Sequence, residues 1–339
     1  MEFLEHVPLA PYTTLGIGGP ARWFAEAETD QDVLEALRYS REHNLPVFVL
    51  GGGSNLLVAD AGFHGLVLRI ALRGVERSGD VLRAAAGADW DSLVQRAVQD
   101  GLAGIECLSG IPGTVGGTPV QNVGAYGQEV ATTIVEVNAV DAATGKLVTI
   151  AGCDCGLGYR RSRFNREDQG RYIVTAVSYK LQPDGSPLVV YPELQRALAG
   201  MASPTLAHVR DAVCQLRRSK GMLLVEGDPD CRSAGSFFKN PVVPAGQAES
   251  LTAQLGEQLP RFADASGGVK LSAAWLISRA GFDKGFTLGN AAISSKHTLA
   301  LVNRGGATAG DMVALRDLIA GEVLRQFGIQ LQQEPVLLA

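Results

Sequence analysis

Ser109-Gly110-Ile111-Pro112-Gly113-Thr114-Val115-Gly116-Gly117-Thr118-Pro119-Val120-Gln121-Asn122-Val123-Gly124-Ala125-Tyr126-Gly127 is the stretch on which the fold turns. Glycine at 110, 113, 116 and 117 lets the backbone approach a ligand with no Cβ in the way. Gln121 and Asn122 supply amides, and Tyr126 a ring with a hydroxyl. Ordering so glycine-dense a segment costs backbone entropy that a bare surface loop does not recover, so a bound group is expected. A second glycine loop lies upstream. The apolar run Val47–Leu50 reads as a buried strand ending on Gly51-Gly52-Gly53-Ser54-Asn55. Successive N–H groups beside a hydroxyl and an amide are the material of a phosphate nest, although alone this loop reads equally well as a tight turn. No G-x-G-x-x-G follows a strand and no G-x-x-x-x-G-K-[ST] occurs. A dinucleotide would therefore be held neither by a Rossmann turn nor by a P-loop.

Working outward, Asp30 is positioned to cap a helix carrying Val33, Leu34 and Leu37, which fades at Asn44. Leu66–Ile70 reads as a strand, and Trp90, Leu93, Val94, Ala97 and Val98 mark an amphipathic helix stopped by Gly101. Ile134–Val140 and Leu147–Ile150 flank Thr144-Gly145 as a hairpin would, and Tyr172–Leu181 is a further strand. Pro183-Asp184-Gly185-Ser186 has turn chemistry and is where the main domain boundary is expected. Beyond it the pattern turns helical. Ser203-Pro204 reads as an N-cap and first-turn proline ahead of Leu206, Val209, Val213 and Leu216. Ser272–Ala280 is a short helix stopped by Gly281. Thr308 with Asp311 forms a capping box opening a helix through Leu315, Ile319, Val323 and Phe327 to Gly328.

Bulk properties narrow the function. The 339 residues are 46% hydrophobic and 19% charged, which excludes disorder. The net charge of −5 with no Lys/Arg run gives no nucleic-acid footprint. No apolar run is long enough for a membrane span, and the N-terminus has no basic segment of a signal peptide, so a cytoplasmic location is expected. Cys107, Cys153, Cys155, Cys214 and Cys231 have neither disulfide nor zinc spacing and read as small buried residues. No metal is expected.

The two glycine loops together resemble the FAD-binding part of bacterial UDP-N-acetylenolpyruvoylglucosamine reductases. Four more segments extend the resemblance: Thr13-Thr14-Leu15-Gly16-Ile17-Gly18-Gly19, Gly158-Tyr159-Arg160-Arg161-Ser162-Arg163-Phe164, Ala234-Gly235-Ser236-Phe237-Phe238-Lys239-Asn240-Pro241 and Glu334-Pro335-Val336. They run in the family's order along essentially the whole chain. The resemblance implies an α+β protein. Residues 17–183 would form a bilobed FAD domain of the p-cresol methylhydroxylase or vanillyl-alcohol oxidase type, with lobes at about 1–65 and 66–183. Residues 184–339 would form an α+β substrate domain whose last strand, carrying Glu334, returns to the flavin.

The same resemblance implies reduction of UDP-N-acetylenolpyruvoylglucosamine to UDP-N-acetylmuramate for peptidoglycan, by a monomer with non-covalent FAD and NADPH as hydride donor. Arg160, Ser236 and Glu334 would be catalytic. Gly51, Gly52, Gly53, Ser54, Asn55, Gly110, Ile111, Pro112, Gly113, Thr114, Gly116, Gly117, Gln121, Asn122, Gly124, Ala125 and Tyr126 would hold FAD. Tyr191, Lys220 and Asn240 would hold the substrate, Tyr191 from a loop like that of the family's longer subclass. One stretch departs from the pattern: Gly221–Cys231 is longer than the family's segment before Gly-Ser-Phe-Phe-Lys-Asn-Pro. Two other readings use the same features, an oxidase on this flavin fold and a nucleotide-binding protein without activity. The absence of a histidine placed for covalent flavin attachment weighs against the first, and the joint presence of Arg160, Ser236 and Glu334 against the second.

Overall fold

Parallel strands need long crossovers, and the first lobe supplies one: Pro20–Ala27 and Val47–Leu50 both run parallel to Phe63–Ile70, with the helix Asp30–Glu42 between the first two. The computed structural model describes residues 1–255, 259–264 and 267–339. The helix is capped by Thr29, one residue before the expected Asp30: its side chain and that of Asp32 bond each other's backbone N–H groups in a capping box. Val33, Ala36 and Leu37 bury the inner face, and Asn44 leaves the helix at φ 51°.

The second lobe is a five-stranded antiparallel sheet in the order Lys146–Ala151, Ile134–Asp141, Tyr172–Lys180, Val81–Ala85, Val75–Ser78. Val137 pairs with Ile150 on one side and Val177 on the other, placing β-branched residues in register across the middle. The helix Trp90–Gln99, capped by Asp89, buries Trp90, Leu93, Val94 and Ala97. These side chains and those of the first lobe form one hydrophobic cluster with Leu66, Leu68, Val137, Val177 and Tyr179.

By its contacts the chain divides into two units, Met1–Val7, Pro20–Gly53 and Phe63–Ser219 forming one, and Pro8–Gly19, Ser54–Gly62 and Lys220–Ala339 the other. The boundary expected at 183 lies inside the first unit. Residues 184–219 stay there because Leu194, Leu198, Val209, Ala212 and Val213 cluster with Cys107 and Tyr126. Their main helix is Leu206–Ser219. It is entered at Thr205, whose hydroxyl accepts from the His208 N–H, two residues beyond the expected Ser203.

In the second unit an antiparallel sheet runs Ser233–Ser236, Ala300–Asn303, Ala291–Ile293, Thr287–Leu288. The helix Ala309–Phe327 buries Met312, Leu315, Ile319 and Val323, and its Thr308–Asp311 capping box forms as expected. The Asp60 carboxylate also accepts from Ala309 and Gly310 at this helix start, where negative charge suits the helix dipole. Val336–Leu338 pairs in parallel with Leu56–Val58, so the last strand adjoins the segment that follows the first glycine loop. Glu334 precedes that strand rather than lying on it.

Candidate active site

In the first unit the two glycine loops meet backbone to backbone. A Cβ on Gly52 would lie 2.7 Å from Gly113 Cα and 3.1 Å from its carbonyl carbon, and one on Gly51 would lie 2.8 Å from Thr114 Oγ1. The long loop is more regular than its glycines suggest. A 3-10 turn, Val115–Gly117, runs into a short helix, Thr118–Gln121, ended by Asn122 at φ 44°. Gly116 donates to the Ala86 carbonyl and Gly117 to that of Thr114, so these two amides serve the loop itself. The side-chain oxygen of Gln121 is buried and has no hydrogen-bond partner among the described residues. A buried acceptor of this kind asks for a donor. With the cradle at Gly52 and Gly113, it makes the loop fit a bound group such as FAD.

Asn122 is different from its neighbour. It is 0% exposed, and its amide donates to Glu129 Oε2 (2.8 Å) and the Gly158 carbonyl (2.9 Å) while its oxygen accepts from Ala131 N (3.1 Å). Both amide hydrogens and one acceptor position of the side chain are engaged inside the protein, so Asn122 braces the loop.

That brace leads directly to Arg160. Gly158 and Arg161 exchange backbone hydrogen bonds around Tyr159 and Arg160, closing a four-residue turn. Arg160 takes φ 52° at its third position, where glycine is usual. Its guanidinium donates from Nη2 to the Gly124 carbonyl at 3.0 Å. Tyr126, at φ 49°, is buried, and burial pushes its hydroxyl up to about 12. Its ring stands edge-on to that of Tyr191, with centroids 5.5 Å apart. Tyr191 is 42% exposed, which rules out a packed core tyrosine. The structure thus brings together Arg160, Gly124, Tyr126 and Tyr191. Left-handed backbone at a bulky residue costs of order 1–3 kcal/mol and concentrates at functional sites.

Glu106, a carboxylate 1% exposed in the same unit, escaped the sequence reading. It accepts from Gln128 Nε2, Leu188 N and Gly104 N, each at 2.8 Å. Gln128 in turn accepts from Cys107 N. A fully satisfied buried carboxylate rigidifies its surroundings, and this one fixes Leu188, three residues before Tyr191. Nothing in a single glutamate before a cysteine could have revealed it.

In the second unit residues 332–334 are bound to the segment that directly follows Ser236. Glu334 N–H donates to the Phe237 carbonyl (2.9 Å) and Lys239 N–H to that of Gln332 (2.9 Å), with Phe238 and Gln333 bridged between them. Glu334 is therefore bonded through its backbone to Phe237, the residue that follows Ser236. Asn55 holds the same segment, donating to the Glu334 carbonyl and accepting from Val336 N. Gly235 at φ 71° sets the bend before Ser236. Thr14, from the first glycine-containing motif, donates to the Ser233 carbonyl at 2.6 Å and so ties that motif to the strand Ser233–Ser236.

Asn240 uses its side-chain oxygen to accept from Ala273 N at the start of Ala273–Arg279. Lys220 directly follows the helix Leu206–Ser219 and opens the second unit. The long stretch after it is pinned by Asp228 to Lys296, and by Asp230 to Ser295 and Arg304. Of the cysteines, Cys107, Cys155 and Cys231 are buried, whereas Cys153 is exposed and Cys214 half-buried. Among the described residues no group of three metal-ligating side chains forms, and no helix is long and apolar enough to cross a membrane.

Residues 21–151 match the FAD binding domain family, and residues 228–338 match the C-terminal domain of UDP-N-acetylenolpyruvoylglucosamine reductase. Over 99% of its length the chain is 47% identical to the UDP-N-acetylenolpyruvoylglucosamine reductase of Thermobifida fusca, covering 98% of that protein. The chain belongs to the UDP-N-acetylenolpyruvoylglucosamine reductase family. The namesake enzyme of Nocardia farcinica is 49% identical over 98% of this chain and 88% of its own. The crystal structure of UDP-N-acetylenolpyruvylglucosamine reductase from Thermus caldophilus superposes with a TM-score of 0.69 at 28% identity, covering all of this chain and 98% of that one. The expected α+β fold, with a FAD-binding domain and a C-terminal domain of this family, follows from these matches.

Proposed function

We propose that the chain reduces the enolpyruvyl double bond of UDP-N-acetylenolpyruvoylglucosamine to give UDP-N-acetylmuramate, a peptidoglycan precursor, with NADPH as reductant. The observation that carries this reading is identity of 47% along nearly the whole chain to a relative named for that substrate. Gly51–Asn55 and the Gly110–Tyr126 loop would hold FAD without a covalent link, and FAD would supply the hydride carrier that links NADPH oxidation to substrate reduction. Per turnover one hydride and one proton add across the double bond.

The chain's own residues handle charge and proton. Hydride addition to the terminal vinyl carbon leaves negative charge on the carbon beside the substrate carboxylate, delocalised into it. Arg160 opposes that charge as a permanent cation, and its turn and its bond to Gly124 hold the guanidinium ready. Ser236 gives its hydroxyl proton to the same carbon; so basic a carbon makes position matter more than the acidity of the serine. Glu334, whose N–H is bonded to the carbonyl of Phe237 next to Ser236, donates to the substrate carboxylate when protonated. Lys220 and Tyr191 grip the diphosphate, and the Asn240 amide donates to the sugar nucleotide.

The test is anaerobic. NADPH should bleach the flavin of the purified protein, and the enolpyruvyl nucleotide sugar should restore its colour with a product two hydrogens heavier. A flavin that only oxygen reoxidises would point instead to an oxidase.

A further inference from the structure

Gly110 opens the long loop at φ 69°, a conformation that glycine tolerates and other residues rarely adopt. Both of its backbone polar groups are held by side chains from elsewhere in the first unit. Its N–H donates to Asp91 Oδ1 at 2.6 Å, and its carbonyl accepts from Arg217 Nε at 3.0 Å. Asp91 is fixed in turn by a two-pronged pair with Arg210, Nη1 to Oδ1 at 2.6 Å and Nη2 to Oδ2 at 2.8 Å. Arg210 and Arg217 are seven residues apart on Leu206–Ser219, two turns of one helix face.

Arg217 is only 8% exposed. Burying an arginine is costly unless its charge and donors are used, and burial pushes this guanidinium below its ordinary value. Core packing alone is a poor reason for such a residue, since an aliphatic side chain would fill the volume at lower cost.

We infer that Arg217 is a positioning residue for the flavin: with Asp91 and Arg210 it clamps Gly110 and thereby sets where the FAD-holding loop begins. This rests on the reading of that loop as the FAD site. It extends the flavin apparatus to a helix that the sequence assigns to substrate binding, and to three side chains outside the expected site.

The experiment measures release of FAD from the loaded protein into flavin-free buffer by flavin fluorescence, with visible circular dichroism of the bound flavin as a second readout. Arg217→Ala leaves the Gly110 carbonyl without its charged donor, and release should be about 10- to 100-fold faster with an altered dichroic band. Arg217→Lys, which keeps the charge and a single donor, should recover part of both. Asp91→Asn can still accept from Gly110 but loses its ionic hold on Arg210, and should release FAD several-fold faster (about 3- to 10-fold). Arg218→Ala, exposed on the same helix, should match the wild type.

Wild-type release and band shape in Arg217→Ala, even with a lowered melting temperature, would make the arginine a packing residue and overturn the inference. If Arg217→Ala does not accumulate, wild-type behaviour of both Arg217→Lys and Asp91→Asn overturns it equally. A wild-type protein that takes up no FAD defeats the functional reading itself, a different result from either.

Discussion

Gly52→Ala adds one methyl group where the two glycine loops touch. The new Cβ would sit 2.7 Å from Gly113 Cα, 3.1 Å from Gly113 C and 3.3 Å from Thr114 N. All three are backbone atoms, so no rotamer change relieves the contact. Restoring an ordinary 3.4 Å separation from Gly113 Cα requires the loops to part by about 0.7 Å. Gly52 is not among the glycines with positive φ, so the penalty is steric rather than conformational. Overpacking of this kind costs about 1–3 kcal/mol. If the FAD-holding arrangement bears that cost, the dissociation constant for FAD should rise about 5- to 100-fold. Gly51→Ala makes the comparison. Its Cβ meets only the Thr114 hydroxyl, which can turn away, so the loss should be several times smaller. Flavin fluorescence titration of both variants, beside their melting curves, provides the measurement. Wild-type affinity in Gly52→Ala, or an equal loss in both variants, would refute the claim that backbone contact between these loops builds the site.

Ser236→Ala should be reduced by NADPH at close to the wild-type rate, yet reoxidised by substrate about 10²- to 10⁴-fold more slowly in stopped flow; equal slowing of both steps would make Ser236 structural. Lys220→Ala and Tyr191→Phe should each raise KM for the sugar nucleotide, by about 10- to 100-fold for the lysine, with kcat little changed; an unchanged KM in both would put the diphosphate elsewhere. Burial alone would raise the Asp91 carboxyl, but the Arg210 pair, the Gly110 N–H and the Arg217 charge together hold it below its usual 3.8. The folded form therefore binds this proton more weakly than the unfolded chain. The resulting stability is complete above the usual value and is lost as pH falls from there through the lowered one. Asp91→Asn should accordingly flatten the stability curve below about pH 4 in urea titrations, and an unchanged acid limb would refute the pairing.

Elements governed by local chemistry were legible in the sequence. Val47–Leu50, the Thr308 capping box and the hairpin around Thr144-Gly145 stand as read, because apolar runs, caps and turns are short-range signals. Caps failed by one or two residues where two candidates adjoined, as at Thr29–Asp30 and Ser203–Thr205. The unit boundary failed for a different reason. A turn at 183 is local, but what binds Leu206–Ser219 to the first unit is burial of Val209 and Val213 beside Tyr126, across more than eighty residues of chain. The site divides in the same way. Its motifs could be read, whereas Glu106, Asp91, Arg210 and Arg217 act on backbone groups far away in sequence and carry no signature of their own.

The two kinds of glycine in the long loop explain how it can be both ordered and open. At Gly116 a Cβ would strike Ala86 at 2.7 Å, and at Gly124 it would strike Glu129 Cγ at 2.7 Å, so these glycines let the loop lie against its own scaffold. At Gly117 a Cβ would meet nothing within 4 Å, and the residue is exposed without a positive φ. Neither protein packing nor backbone conformation demands glycine there. Close approach of a ligand would. The entropy lost in ordering such a segment is offset by side chains that take its backbone groups, Asp91 and Arg217 at Gly110 and Arg160 at Gly124, and by the buried Asn122 amide at its middle. A loop held by its polar groups keeps its open glycine face clear of protein atoms, and that is the face on which a planar cofactor can lie.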